Sequence, residues 1–454
     1  MLKALGRRED ALLIYRRAID VDPRSGVAEH NLAALQGDLN RYADAEASAR
    51  SAMAKGLQVP ETWLVLARAI QGQGRHDEAE AAYRRALAIN PAMADAHGEL
   101  AQLIWMRTED AAAASRTLRT AVAAYPRDSG LALRLAKALQ YGGLQAEAYE
   151  VMLEAIARAP AIDPGLESAA SILAAELGKG VAAVNHAERG LTAAPDDYSL
   201  VMNACDAQLG VGRAGVAARL ALGEHERRPD DQHVISRVAT AWRMMDDPRY
   251  GALYDYGAMV RGWTIDTPEG WADLPAYLAD LAAALRTVHT VTGHPFGQSL
   301  RLGSQTHADL AVSEDPAIQA FFKAIDGPIR RHMDWIGRGD DDLRRRNTGE
   351  YRIQGAWSVR LRPGGYHVDH VHPMGWLSSA CHIVLPASVE GAAREGWLKF
   401  GEPGVVTQPK MGPEHFVRPE PGRLVLFPSY MWHGTVPFSG EDERLTIAFD
   451  IVPG

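Results

Sequence analysis

The spacing of the prolines constrains this chain most. In the first half seven of them recur at a steady interval, Pro23, Pro60, Pro91, Pro126, Pro160, Pro195 and Pro229, with gaps of 37, 31, 35, 34, 35 and 34 residues. Proline lacks a backbone N–H and its ring clashes with the preceding turn, so it stops a helix. A stop every ~34 residues leaves room for two helices and their turns. The first half is therefore predicted to be a row of helical hairpins, each burying its apolar face against its neighbours.

The unit that ends at Pro91 carries the fullest pattern. Trp63, Leu66, Ala67 and Ile70 form one helical stripe, Gly74 breaks it, and Ala79, Tyr83 and Ala86 form a second. Small residues at Ala67 and Ala79 let antiparallel helices approach, and Tyr83 fills the gap to the next unit. Ala11, Tyr15 and Ala18 repeat the second stripe, as do Ala136, Ala148 and Ala155 before Pro160. The segments ending at Pro126, Pro195 and Pro229 match less well. Period and pattern together resemble tetratricopeptide repeats over about residues 1 to 235, and the solenoid domain is placed at 1–240. The chain opens on a second-helix pattern, "GRREDALLIYRRAIDVDP". Either the true start lies upstream or a partner covers this end. The concave face of such a solenoid commonly binds a protein or peptide; the plainer alternative is that the array only scaffolds or dimerises the chain.

At 454 residues the chain exceeds one ordinary core. Its formal net charge is -9 with no long basic run, which argues against a nucleic-acid partner. Cys205 and Cys381 are its two cysteines, which excludes a disulfide framework and a Cys-rich zinc site. No apolar run reaches membrane-spanning length, and the start "MLKALGRRED" lacks a leader's apolar core. The expectation is a cytoplasmic protein without a membrane partner.

Composition shifts near residue 240 towards Gly, Tyr and Trp. "WADLPAYLADLAAALRTVHTV" keeps a helical period, and "PAIQAFFKAIDGPIRRHMDWIG" reads as another helix, with the extended "SLRLGSQTH" between them. From about Trp357 the period becomes two. "AWSVRLRP", "GWLSSACHIVLP", "EGWLKFGEP", "GRLVLFPSY" and "RLTIAFDIVP" read as short strands, predicting a β-barrel or jelly roll braced by helices. The charge run from Arg338 to Glu350 reads as a solvated connector.

"YHVDHVHPMGWLSS" holds three histidines and an aspartate within six residues. Residues two apart on an extended chain face the same side. His370 and His372 therefore pair on one side, and His367 and Asp369 on the other. A third ligand must come from elsewhere, and His433 ends the apolar stretch "GRLVLFPSYMWH". Arg444 opens the last predicted strand. Imidazole suits iron, zinc, copper and nickel alike, so ligand type alone names no metal.

Four stretches resemble the 2-oxoglutarate/Fe(II)-dependent oxygenases found behind tetratricopeptide arrays in bacteria. They are "SLRLGSQT", "WSVRLRPGGYHVDHVHPMGWLSS", "GRLVLFPSYMWHGTVPF" and "ERLTIAFDIVP", and they span roughly residues 290 to 454. The resemblance implies a double-stranded β-helix in a domain at 241–454, with a helical part at 241–345 and the β-helix at 346–454. It implies O2-driven decarboxylation of 2-oxoglutarate to succinate, coupled to hydroxylation of a C–H bond. With Gly364, Gly365 and Tyr366 aligned to the superfamily motif, its His falls on His370, its Asp on His372 and its distal His on His433. Arg444 and Thr446 resemble the Arg-x-Ser/Thr pair that holds the far carboxylate of 2-oxoglutarate.

The chain departs from that pattern at His372. Either three imidazoles bind iron, or His370 and His433 bind and His372 stands in the outer shell. Asp369 would reach that shell only through a bulge. His382, where the family often has an aromatic, reads as a satisfied polar residue of the barrel or as a hydrogen bond to the co-substrate. His415, Trp376, Trp397, Arg362 and Gln354 read as loop, packing or rim residues. The expected function is an Fe(II)- and 2-oxoglutarate-dependent dioxygenase, a hydroxylase of a protein or peptide brought by the array. Its rivals are a three-histidine dioxygenase that ignores 2-oxoglutarate, and a non-catalytic scaffold with a degenerate cupin-like barrel.

Overall fold

The computed structural model describes residues 8–454. Positions 1–7, which include the first residues of the opening helix pattern, lie outside the described residues. The chain forms two compact units, one ending at Leu144 and one spanning Gln145–Gly454.

The first unit contains α1 (Arg8–Val21), α2 (Gly26–Asp38), α3 (Tyr42–Ala54), α4 (Pro60–Gly72), α5 (His76–Ile89), α6 (Ala94–Thr108), α7 (Ala111–Ala124) and α8 (Ser129–Tyr141). The second unit continues the series with α9 (Gln145–Arg158), α10 (Pro164–Glu176), α11 (Gly180–Ala193), α12 (Tyr198–Gly210), α13 (Ala214–Arg227) and α14 (Gln232–Met244). Pro60 is the first residue of α4, and the other six periodic prolines stand in the turns before α2, α6, α8, α10, α12 and α14. Asp128, Asp163, Asp197 and Asp231 then cap four of these helices, their carboxylates accepting from first-turn N–H groups. The anchors of the pattern are sealed: Ala67, Ala79, Tyr83, Ala86 and Ala148 are all buried. The weaker segments before Pro126, Pro195 and Pro229 form hairpins of the same length, because alanines at Ala114, Ala121, Ala183, Ala187, Ala217 and Ala221 supply the close approach.

Beyond the repeats the second unit adds α15 (Arg249–Leu253), α16 (Tyr256–Met259), β1 (Arg261–Thr264), α17 (Leu274–Val288), β2 (Leu300–Gln305), α18 (Pro316–Ala324) and α19 (Asp326–Ile336). The stretch expected to be one helix over α18 and α19 is two. The break falls at Ile325, just before the Gly327–Pro328 pair, where proline removes a helix donor. The charge run after α19 is more than a connector. Asn347 is buried and donates to Met333 O and Gly337 O, closing the end of α19.

The strands are β3 (Tyr351–His367), β4 (Leu377–Val384), β5 (Leu398–Phe400), β6 (His415–Val417), β7 (Arg423–Pro428), β8 (His433–Thr435) and β9 (Arg444–Pro453). They build a six-stranded antiparallel sheet in the order β1-β7-β4-β9-β3-β2 and a three-stranded one in the order β6-β5-β8. Alternation assigns the two faces of the larger sheet. Leu377, Cys381, Leu424, Ile447, Phe449 and Ile451 share a buried core with Tyr277, Leu281, Phe321 and Met333 of α17–α19. The opposite face carries Ser378 and His382 of β4 and Arg444, Thr446 and Asp450 of β9, all buried, with His382 directly across from Thr446.

Candidate metal centre

The loop between β3 and β4 holds His370 and His372. This stretch is not a strand; it makes one bridge, with His370 N donating to His433 O at 2.9 Å and His433 N donating back to His370 O at 3.1 Å. His372 N donates to Ser429 O at 3.0 Å. The backbone between is extended enough that Val371 turns into the apolar core while the two imidazoles turn away from it. His433, at the start of β8, completes the group. Among the described residues, His370, His372 and His433 offer nitrogens that all lie within 4.8 Å of one another.

The three rings are oriented alike. Each Nδ1 faces an acceptor: Val368 O at 2.8 Å from His370, Met431 O at 2.9 Å from His433, and Asp450 Oδ1 at 2.7 Å from His372. Each Nδ1 therefore carries the proton, which leaves Nε2 with a lone pair. The Nε2 atoms of His370 and His372 stand 3.1 Å apart. Two lone pairs at that distance repel unless a proton or a cation lies between them. Burial, then the neighbouring His372, pushes His370 down to about 3. Burial and the two neighbouring imidazoles hold His433 well below its ordinary value. His370 and His433 are thus neutral imidazoles whose Nε2 lone pairs can serve a metal. Phe427 stands against His433 at 4.5 Å between ring centres, and Trp357 stacks on His372 at 5.9 Å.

Asp369 lies apart from this group. Its Oδ2 accepts from Lys399 Nζ at 2.8 Å, and Lys399 also pairs with Glu402. Burial raises Asp369 to about 6. His367 does not share Asp369's side: its ring lies 5.9 Å from that of His370, and Ser299 Oγ sits 2.9 Å from His367 Nδ1 and 3.3 Å from His370 Nε2.

Arg444 is buried, and among the described residues it makes no ion pair with a carboxylate. Its Nη2 lies 3.5 Å from His382 Nδ1, while its Nε and His382 Nε2 are buried without partners. The sequence reading of His382 as a satisfied polar residue is thus corrected. It shares with Arg444 a set of unmet donors beside Thr446. Burial lowers Arg444 to about 10, still a cation at neutral pH. A cationic, donor-rich recess on the same sheet face as Asp450, the partner of His372, suits a carboxylate.

Trp376 packs, fully buried, with Nε1 donating to Leu343 O, and Trp397 donates to Val389 O. His415 is not in a loop but on β6, stacked on Tyr256 at 5.1 Å. Sequence reasoning missed Asp450, Ser299 and Trp357. Asp450 had a usable signal, since it is in phase with Arg444 and Thr446 on β9.

Residues 355–450 match the family described as "Putative 2OG-Fe(II) oxygenase", and residues 60–103 match "Tetratricopeptide repeat". The chain thus carries a tetratricopeptide repeat and, towards its C-terminus, a "Putative 2OG-Fe(II) oxygenase" domain. The oxygenase match begins inside β3, ends at Asp450 and includes every residue of the imidazole group and the Arg444 recess. No curated protein matches the chain. Among solved structures it matches the Naa15/Naa10 complex bound to HypK-THB at a TM-score of 0.30 and 18% identity, covering 57% of this chain and 40% of that one. It matches a tetratricopeptide repeat protein from Parabacteroides merdae ATCC 43184 at 0.38 and 16%, covering 53% and 94%. It matches YrrB, described as having an unusual peptide-binding site, at 0.27 and 16%, covering 41% and 95%. The chain thus spans well under half the length of the Naa15/Naa10 chain it matches. Among the described residues, no helix is long and apolar enough to cross a membrane.

Proposed function

We propose that the protein is an Fe(II)- and 2-oxoglutarate-dependent dioxygenase that hydroxylates a protein or peptide recruited on the concave face of its repeats. In this reading residues 241–454 form the catalytic domain and its two sheets are the halves of a double-stranded β-helix. His370, His372 and His433 hold the metal, and Arg444 with Thr446 holds the far carboxylate of 2-oxoglutarate.

The observation that carries the reading is the buried, carboxylate-free guanidinium of Arg444 on the same sheet face as Asp450, the partner of His372. An unpaired buried charge is costly, so it is expected where a ligand of opposite charge completes it. A three-histidine dioxygenase without 2-oxoglutarate has no use for that cation.

Iron(II), when bound, supplies a chelation point for a 2-oxo acid and for O2. The chain's own residues do the rest by positioning. Val368 O, Met431 O and Asp450 keep the three Nδ1 protons in place, so the Nε2 lone pairs stay aimed inward. Arg444 offers a bidentate fork to a carboxylate, and His382 adds a second donor or acceptor beside it. Phe427 and Trp357 keep the imidazoles dry on two sides.

The link to the repeats is short. Trp432, the residue before His433, donates from Nε1 to Thr240 Oγ1 of α14 at 2.9 Å, and Arg237 lies over its ring at 4.8 Å. Arg243 donates to Gly401 O and Gly412 O. A polypeptide held by the last repeats would be delivered beside the histidines. The test is succinate formation from 2-oxoglutarate under air with Fe(II), followed by mass spectrometry of proteins captured by the array. Metal-dependent succinate formation that disappears in His433→Ala supports the reading; succinate formation that survives His433→Ala overturns the site.

A further inference from the structure

The motif that this site resembles supplies one carboxylate to the metal, and here that position is His372. The structure offers a replacement. Asp450 Oδ1 lies 2.7 Å from His372 Nδ1 and accepts from Ser378 Oγ at 2.8 Å, while Ser378 Oγ is in turn 2.8 Å from Ser429 Oγ. Ser378 and Ser429 are buried, and Asp450 is only 9% exposed. The other two imidazoles donate to neutral backbone carbonyls, Val368 O and Met431 O. His372 alone donates to a carboxylate.

Resting on the iron reading above, we propose that Asp450 supplies, through His372, the negative charge that a directly bound carboxylate would have supplied. The charge is moved outward by one imidazole. A carboxylate that accepts from Nδ1 draws the proton towards itself and makes Nε2 a more basic donor to a metal. Two neutral imidazoles plus a His372–Asp450 dyad carry the same formal charge, -1, as two imidazoles plus one carboxylate. The site can then keep the electrostatics of the family pattern while all three nitrogens remain ligands. Ser378 and Ser429 hold Asp450 on one rotamer, and Gly375 leaves the space, since a Cβ there would come within 3.4 Å of Asp450 Cγ. Asp450 is therefore a positioning and charge-supplying residue, outside the ligand set.

The experiment is anaerobic titration of the full chain with Co(II), whose visible ligand-field bands report the donor set. Asp450→Asn keeps the volume and an oxygen that accepts from His372 and Ser378, and removes only the charge. The expected result is one Co(II) per chain in the unaltered protein, with affinity about 10- to 100-fold weaker and shifted bands in Asp450→Asn. In a His372→Asp background, where the carboxylate binds directly, Asp450→Asn should not weaken Co(II) binding. Equal affinity and superimposable bands in Asp450→Asn overturn the inference while leaving the metal site standing. Equal weakening in both backgrounds also overturns it, because Asp450 would then only support the fold. No Co(II) binding by the unaltered chain overturns the iron reading and this inference together.

Discussion

Arg444 and His382 face each other on adjacent strands, with Nη2 3.5 Å from Nδ1, both sealed from water and neither paired to a carboxylate. This arrangement carries a cost in the absence of a ligand. Replacing an uncompensated buried charge by an apolar side chain of similar size commonly stabilises a fold, here by an amount on the order of 1 kcal/mol or more. Arg444→Met should therefore raise the melting temperature of the ligand-free protein. It should also abolish the further stabilisation that 2-oxoglutarate adds to the Fe(II)-loaded chain, about 2.7 kcal/mol at a hundredfold excess over its Kd, while leaving that from Fe(II) alone. Anaerobic calorimetry with and without ligands checks both. A variant that melts lower in every condition would show that Arg444 serves the fold.

His433 is expected to matter for the metal and little for the fold. Its ring makes one hydrogen bond, to Met431 O, while its backbone bridge to His370 is independent of the side chain. His433→Ala should lose metal-dependent turnover and most metal affinity, with an unchanged far-ultraviolet circular dichroism spectrum. Full turnover in that variant would remove His433 from the site.

Acid should destabilise the second unit through histidines remote from the triad. His332 is fully buried and its Nδ1 accepts from Trp263 Nε1 at 3.2 Å. Burial pushes it to about 3, from an ordinary value near 6.5. The folded form is thus the weaker base. Stability is whole above the unfolded value and falls as pH drops from 6.5 towards 3. The loss from this one residue is on the order of 2 kcal/mol by pH 5. Denaturant melts of the unaltered chain and His332→Gln, compared across pH, isolate the contribution. Parallel profiles would contradict it.

The C-terminal domain proposed at 241–454 should not survive excision at residue 241. Ile235 and Ala239 of α14 belong to the same core as Phe427 and Ile447, and Trp432 depends on Thr240 and Arg237. A fragment of residues 145–454 should melt cooperatively, whereas 241–454 should aggregate or melt far lower. Equal melting of the two fragments, read by circular dichroism, would refute the shared core.

Much of this was legible in the residues. Proline spacing and buried alanines announce the hairpins because both act locally, one by ending helices and one by letting them touch. The gathering of His370, His372 and His433 was legible through motif spacing. What escaped depends on contacts between distant segments. Asp450 meets His372 only because β9 lies beside the loop that follows β3, and no local pattern encodes that pairing. The unmet state of His382 depends on Arg444 lying 62 residues away in the chain. The division of α18 from α19 was written in Gly327–Pro328, but the apolar period running through both segments concealed it.

The most direct test of the account is anaerobic titration of metal-stripped protein with Fe(II) and then 2-oxoglutarate, followed in the visible spectrum. The account predicts a charge-transfer band that saturates at one equivalent of chelated 2-oxo acid and is lost in Arg444→Ala. Iron that binds without producing the band would contradict it.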